Sequence, residues 1–391
     1  IKPAKSKNKK VAWKPGRTQR SVELEKIILS NGVRVLFREQ HESPVVQIKS
    51  ALLGGLRSEN PNQAGVNELF SRVWTSGTGA QSESEISARL EGSAASISAF
   101  GGRNSAGLSM MCLQPFADEI FALYADIFKN PQFEGEAVQR EKRLMLEALR
   151  NREDNPAQKC MLNMTREMFG THPYGRDPLG TKDTVATLSR SDVQSYYQRI
   201  LDPSQLVISV VGPLESKKWV KKISAEFEGL KAVRHELPPI ETPVLKANRK
   251  VYEKSEKEQA HIALVYPSIT LRDSRRFALE VMQAVLSGQG GRLFIELRDK
   301  MSLAYSVAPL RLDGLDAGYF GAYIGCSPEK TEKSIQMMRS ELGRLKSDLV
   351  GEVELDGAKR YLVGRNAIGN QKGSQLAALA LFDELYGLSH T

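Results

Sequence analysis

Histidine and cysteine are scarce in this chain, and where they fall excludes a locally built metal site. The five histidines, His41, His172, His235, His261 and His390, are scattered, with no two spaced as a ligand pair. The three cysteines, Cys112, Cys160 and Cys326, are odd in number and far apart. That excludes paired-cysteine metal spacing and a disulfide framework, and buried free thiols are the expectation. No uninterrupted apolar run approaches the ~18–20 residues that span a bilayer, so an integral membrane protein is not expected. Acidic residues are absent from positions 1–20, which hold Lys2, Lys5, Lys7, Lys9, Lys10, Lys14, Arg17 and Arg20. Those cations account for all but one unit of the formal net charge of +9. The basicity therefore belongs to residues 1–21, a solvated tail or linker punctuated by Pro3, Pro15 and Gly16, and no nucleic-acid partner is expected. This segment lacks the apolar core of a signal peptide and starts at Ile1, so a processed or excised fragment is expected.

What is present has the balance of a globular protein, with 41% hydrophobic and 26% charged residues. A length of 391 residues is long for one core, and two domains are expected. Glu23 to Ser30 and Val33 to Arg38 read as strands joined by a turn at Asn31-Gly32. Val45 to Leu53 is a third strand, and Ser96 to Phe100 with Ala106 to Leu113 reads as a hairpin. Helical patterns cover Asn62 to Ser76, Ser84 to Glu91, Phe116 to Phe128, Glu134 to Glu153, Gln158 to Phe169 and Ser189 to Leu201. Leu206 to Gly212 is a buried strand. Residues 231–248 carry Pro238, Pro239 and Pro243 among charged residues, the composition of a linker. Strands are then expected at Arg249 to Lys254 and His261 to Pro267, and a helix at Arg275 to Leu286. The second half loosely repeats the first. The expectation is an α+β fold of two similar domains, 22–230 and 249–391, each a mainly antiparallel sheet packed against helices.

The stretch Gly65-Val66-Asn67-Glu68-Leu69-Phe70-Ser71-Arg72-Val73-Trp74-Thr75-Ser76-Gly77-Thr78 carries the most information. It resembles the motif helix of the pitrilysin/insulinase-like zinc peptidases, which runs Gly-apolar-small-His-x-x-Glu-His and closes on Gly-Thr. The resemblance places Glu68 and Arg72 at the two histidine ligands and Ser71 at the general-base glutamate. The third ligand of that family is a glutamate in a later helix, seven residues after another glutamate. Here Glu141 is kept and Ala148 stands at the ligand position, while Glu147 is about 100° away round the helix. The chemistry of the residues agrees. Zinc needs three His, Cys or carboxylate ligands, and Arg72 is a permanent cation that repels a metal. Ser71 has no local histidine to activate it as a nucleophile. No metal is expected in this chain.

Two further features follow the same family. Gly291-Arg292-Leu293-Phe294-Ile295-Glu296-Leu297-Arg298-Asp299-Lys300-Met301-Ser302-Leu303-Ala304-Tyr305-Ser306-Val307 is similar to its C-terminal motif. The resemblance implies that Arg298 and Tyr305 reach the zinc site of another half, hold the substrate backbone and stabilise the oxyanion, with Arg292 structural. The His172-Pro173-Tyr174-Gly175-Arg176 loop matches a structural signature. Ser98-Ala99 fills the place of an Asn-Ala pair in an edge strand that binds substrate by strand addition. Family halves continue some fifty residues past the segment matching Leu376 to Tyr386, whereas this sequence ends at Thr391, so the last helices and strand are expected to be missing or supplied elsewhere.

The resemblance covers roughly residues 22–391 and implies one of two functions. In the first, the chain is the zinc-less half of a bipartite peptidase. It gives Arg298 and Tyr305 to a homologous partner half, separate or fused, that holds zinc and hydrolyses a peptide substrate. In the second, it is a purely structural relative. A retained Arg-Tyr pair favours the first.

Overall fold

The computed structural model describes residues 24–231, 240, 242–243, 245 and 247–388. The basic segment 1–21 and most of the 231–248 linker lie outside the described residues. The first sheet is built from β1 (Glu25–Ile28), β2 (Arg34–Glu39) and β3 (Val45–Leu53). Gly32 takes φ 93° in the β1–β2 turn, a backbone region open to glycine at no steric cost. Two helices follow, α1 (Val66–Val73) and α2 (Glu83–Gly92), then the hairpin β4 (Ser96–Gly101) and β5 (Ser105–Leu113). Helices α3 (Ala117–Lys129), α4 (Gly135–Glu153), α5 (Pro156–Phe169), α6 (Lys182–Thr187) and α7 (Arg190–Ile200) lead to β6 (Val207–Gly212) and α8 (Ser216–Phe227).

β6 returns to the middle of the sheet, whose order is β1-β2-β6-β3-β5-β4. It pairs parallel with β2 and antiparallel with β3, and it is buried along its whole length. Val207, Ile208, Val210 and Val211, broken only by the buried Ser209, give the near-continuous apolar run that such a strand requires. The core lies between this sheet and the helices, centred on Phe37, Ile48, Phe70, Trp74, Tyr124, Phe128 and Phe227. β4 is the outer strand of the sheet.

The second sheet is formed by β7 (Ala260–Ser268), β8 (Ala304–Asp313) and β9 (Gly318–Cys326), in the order β7-β9-β8 with all pairs antiparallel. Helix α9 (Arg276–Leu286) and a π-helical segment, Phe294–Lys300, join β7 to β8. Helices α10 (Thr331–Ser347), α11 (Glu352–Gly369) and α12 (Gly373–Tyr386) follow β9. This is the two-domain α+β architecture expected from the sequence. One expected strand does not form: Arg249 to Lys254 is irregular. Its physical reason is pairing, since among the described residues β7 bonds to β9 alone and leaves the 249–254 backbone without a ladder partner.

The halves are interleaved. Helix α5 packs on β7 of the second sheet, and α12 packs on β3 and β6 of the first. Both are 14 residues long and both are followed by a positive-φ glycine, Gly170 and Gly387. Leu381 and Leu385 of α12 bury themselves against Leu36, Ala51 and Val207, and Glu384 pairs with Lys26 and Arg34 at 2.8 and 3.0 Å. Near α5, the His172–Arg176 loop ties the domains together. Tyr174 donates its hydroxyl to Asn104 Oδ1 at 2.6 Å and accepts from the Leu315 amide at 3.0 Å. Arg57 grips Asp316 with two hydrogen bonds of 2.8 and 3.1 Å. His172 is buried, its Nδ1 accepts from the Tyr174 amide, and burial lowers its pKa.

Candidate functional site

Helix α1 is amphipathic in the simplest way. Val66, Leu69, Phe70 and Val73 are fully buried, at the i, i+3, i+4, i+7 spacing of one helical face. Glu68, Ser71 and Arg72 are left on the other face. The helix starts at Gly65 with φ 95°, where a side chain would meet the Leu179 carbonyl oxygen at 2.8 Å. It is shorter than the expected Asn62 to Ser76, because Pro61–Gln63 is a separate 3-10 turn. Glu59 caps it from outside, accepting from the Gly65 and Asn67 amides at 3.1 and 2.9 Å. Desolvation pushes the Glu59 carboxyl up to about 8, although both amide hydrogen bonds pull the other way. No sequence signal marks Glu59; its role comes from a fold-back of the chain.

The polar face of α1 is closed on itself. Arg72 Nε donates to Glu68 Oε1 at 2.8 Å, and its other arm lies 3.6 Å from Glu141 Oε2 on α4. Glu141 also accepts from Arg140 Nε at 3.1 Å, and Arg140 in turn pairs with Glu83 at 2.9 Å. Ser71 Oγ donates to the Glu68 carbonyl at 2.9 Å, a helix back-bond that leaves it no catalytic partner. Ala148 is half-buried on α4 and offers no donor atom. Glu147 is exposed. These residues do not fit a zinc ion: one carboxylate is occupied by a guanidinium, and the other ligand positions are a cation and a methyl group. The Arg72 cation instead links α1 to α4.

The second set of residues is arranged in the opposite way. Arg292 makes a two-pronged bond to Glu354 of α11, at 2.7 and 2.6 Å, and Leu293 and Leu297 are buried. These contacts fix the π-helical segment. The Arg298 side chain projects from it exposed, with its guanidinium carbon 4.8 Å from the Phe294 ring centroid and no side-chain hydrogen bond or ion pair to any described residue. Tyr305 lies where the β8–β9 register slips: Ala304 faces Cys326, Ser306 faces Gly325, and Tyr305 is the extra residue. A bulge of this kind re-aims a side chain. Tyr305 is 61% exposed, and its hydroxyl has no partner among the described residues. Ser302, between the two, sits at φ 51°, an uncommon conformation outside glycine.

Glu68, Arg72 and Glu141 thus form one cluster, and Arg298 and Tyr305 stand on the other domain with no bond to it. Ser98 and Ala99 lie on β4, opposite Ser109 and Leu108 of β5, so the outer edge of β4 carries backbone groups with no strand beside them among the described residues. Among the described residues no helix is long and apolar enough to cross a membrane.

Known proteins resemble this chain along most of its length. Residues 34–182 match the insulinase-type M16 peptidase family, and residues 187–362 match the M16 inactive domain. An uncharacterised zinc protease of Streptomyces coelicolor is 27% identical over 336 residues, covering 82% of this chain and 73% of that protein. A non-peptidase homolog from Helicobacter pylori is 24% identical, covering 87% and 79%. The crystal structure of a peptidase M16 inactive domain from Pseudomonas fluorescens superposes with a TM-score of 0.87 at 22% identity, covering 94% of this chain and 89% of that one. A protease structure from Helicobacter pylori gives 0.86 at 20% identity, covering 94% and 90%. The chain belongs to the insulinase-type M16 family, as an inactive-type member whose helix α1 carries the Glu68–Arg72 ion pair.

Proposed function

We propose that this chain is the zinc-less half of a bipartite M16 peptidase and lends Arg298 and Tyr305 to a homologous half that holds zinc. The observation that carries the reading is that both side chains are presented to solvent with no polar partner among the described residues. A fixed guanidinium and a neutral phenol are suited to donating hydrogen bonds to the negative charge that develops on a carbonyl oxygen under attack. The partner's metal supplies the activated water; this chain binds, orients and donates. The open edge of β4 at Ser98-Ala99 supports strand-wise binding of an extended peptide. A purely structural subunit is the competing reading, favoured by the self-paired face of α1 and by the naming of the Helicobacter pylori relative as a non-peptidase.

Co-expression with a zinc-bearing homologous half, followed by assay on an internally quenched peptide, separates the two. Arg298→Ala and Tyr305→Phe are each expected to lower kcat by ~10²–10³ while both chains still co-elute. Ser71→Ala leaves kcat unchanged. Wild-type turnover by an assembled Arg298→Ala/Tyr305→Phe double variant would leave only the structural reading.

A further inference from the structure

An arginine that must donate to a substrate faces a conflict. Left free, its side chain loses much rotamer entropy each time it engages. Held by a carboxylate, it is ordered, but the N–H groups it needs are consumed. An aromatic ring resolves the conflict, because it attracts the cation through its face and leaves the donors on the guanidinium edge unoccupied.

We propose that Phe294 is the positioning residue for Arg298, holding the guanidinium over its ring with every donor free. The inference rests on the donor role assigned to Arg298 above. Three observations carry it. The guanidinium carbon lies 4.8 Å from the Phe294 centroid, within the ~6 Å range of a cation–π contact. Phe294 is half-buried on a segment pinned by Leu293, Leu297 and the Arg292–Glu354 pair, so the ring is a fixed support. The carboxylate beside it is diverted: Glu296 accepts from Lys300 Nζ at 2.8 Å. The segment closes on hydrogen bonds from the Ser302 amide to the Arg298 carbonyl and from the Leu303 amide to the Leu297 carbonyl, at 3.0 and 2.8 Å. These hold the backbone under Arg298 as well.

The contact at Arg276 is a built-in control. Its guanidinium lies 4.6 Å from the Phe277 centroid, but that ring is 58% exposed and next in sequence, with no role in the proposed site.

The test has two readouts. In the chain alone, with arginine isotopically labelled, the Arg298 side-chain proton resonances (assigned by their loss in Arg298→Lys) are expected upfield from the ring current. Phe294→Leu returns them to the position of a free arginine, and Phe294→Trp keeps them upfield. In the assembled peptidase, Phe294→Leu lowers kcat roughly two- to fivefold with KM unchanged, Phe294→Trp restores it, and Phe277→Leu has no effect. In an Arg298→Ala background, Phe294→Leu costs nothing more. Absence of the upfield shift, or full activity of Phe294→Leu when Arg298→Ala is impaired, overturns the proposal. An additive loss in the double variant also overturns it, since Phe294 then acts by another route. Full activity of Arg298→Ala is a different failure, that of the donor role itself, and it leaves the ring-current result standing as structure only.

Discussion

The polar face of α1 and the Arg298–Tyr305 region carry similar side chains in opposite states. On α1 a guanidinium sits between two carboxylates, Glu68 and Glu141, and the serine bonds its own backbone. On the second domain the arginine and tyrosine end in solvent, backed only by a phenyl ring and a strand bulge. Satisfied polar groups contribute to stability and have little left for a ligand; unsatisfied ones on a fixed support have their full interaction energy available. In the function proposed above, the contrast lets one chain keep a peptidase frame without metal chemistry of its own and still have groups to give.

Two substitutions sharpen that contrast through stability. The larger effect is expected at Glu59, whose folded pKa of about 8 stands above its ordinary value. A carboxyl raised in this way contributes stability that is complete below about pH 4.5 and is lost as pH rises through about 8. The native chain should therefore weaken across about pH 5–8 by this contribution. Glu59→Gln keeps an acceptor for the Gly65 and Asn67 amides and removes the buried charge. Thermal unfolding is expected to show a Tm gain for the variant that grows from about pH 5 to about pH 8. A Tm difference that does not change with pH would contradict the assignment. The smaller effect is at Arg72. Arg72→Ala leaves Glu68 and Glu141 without their shared cation, a loss of about 1 kcal/mol for a partly exposed network, read as a Tm lower by ~2–4 °C. Arg72→Lys should recover part of it.

Much of this was legible in the sequence because it is local. The i, i+3, i+4, i+7 apolar spacing of α1, the Asn31-Gly32 turn and the β-branched run of β3 each determine structure within a few residues. The frame around Glu68, Ser71 and Arg72 pointed to the family for the same reason. What the sequence hid is non-local. Glu141 meets Arg72 only because α4 packs on α1, and α12 crosses to the first sheet through Leu381 and Leu385, apolar positions that any helix of the second half could have shown. Leu293 and Leu297, four apart, read as an ordinary helix, and nothing in them signals the π-helical turn that carries Arg298. The β-prone pair Val251-Tyr252 reads as part of a strand, but β7 does not pair with it. The short α6 also escaped, since six residues hold too few periods to detect.

The central claim is that the helix framed as a zinc site holds an ion pair and takes no metal, while the donors stand on the other domain. Metal analysis tests it most directly. The chain is purified without chelator, incubated with zinc and freed of excess. The expected result is no stoichiometric zinc, and no difference between the native chain and Glu68→Ala. One tightly held zinc per chain, lost on Glu68→Ala, would contradict the account.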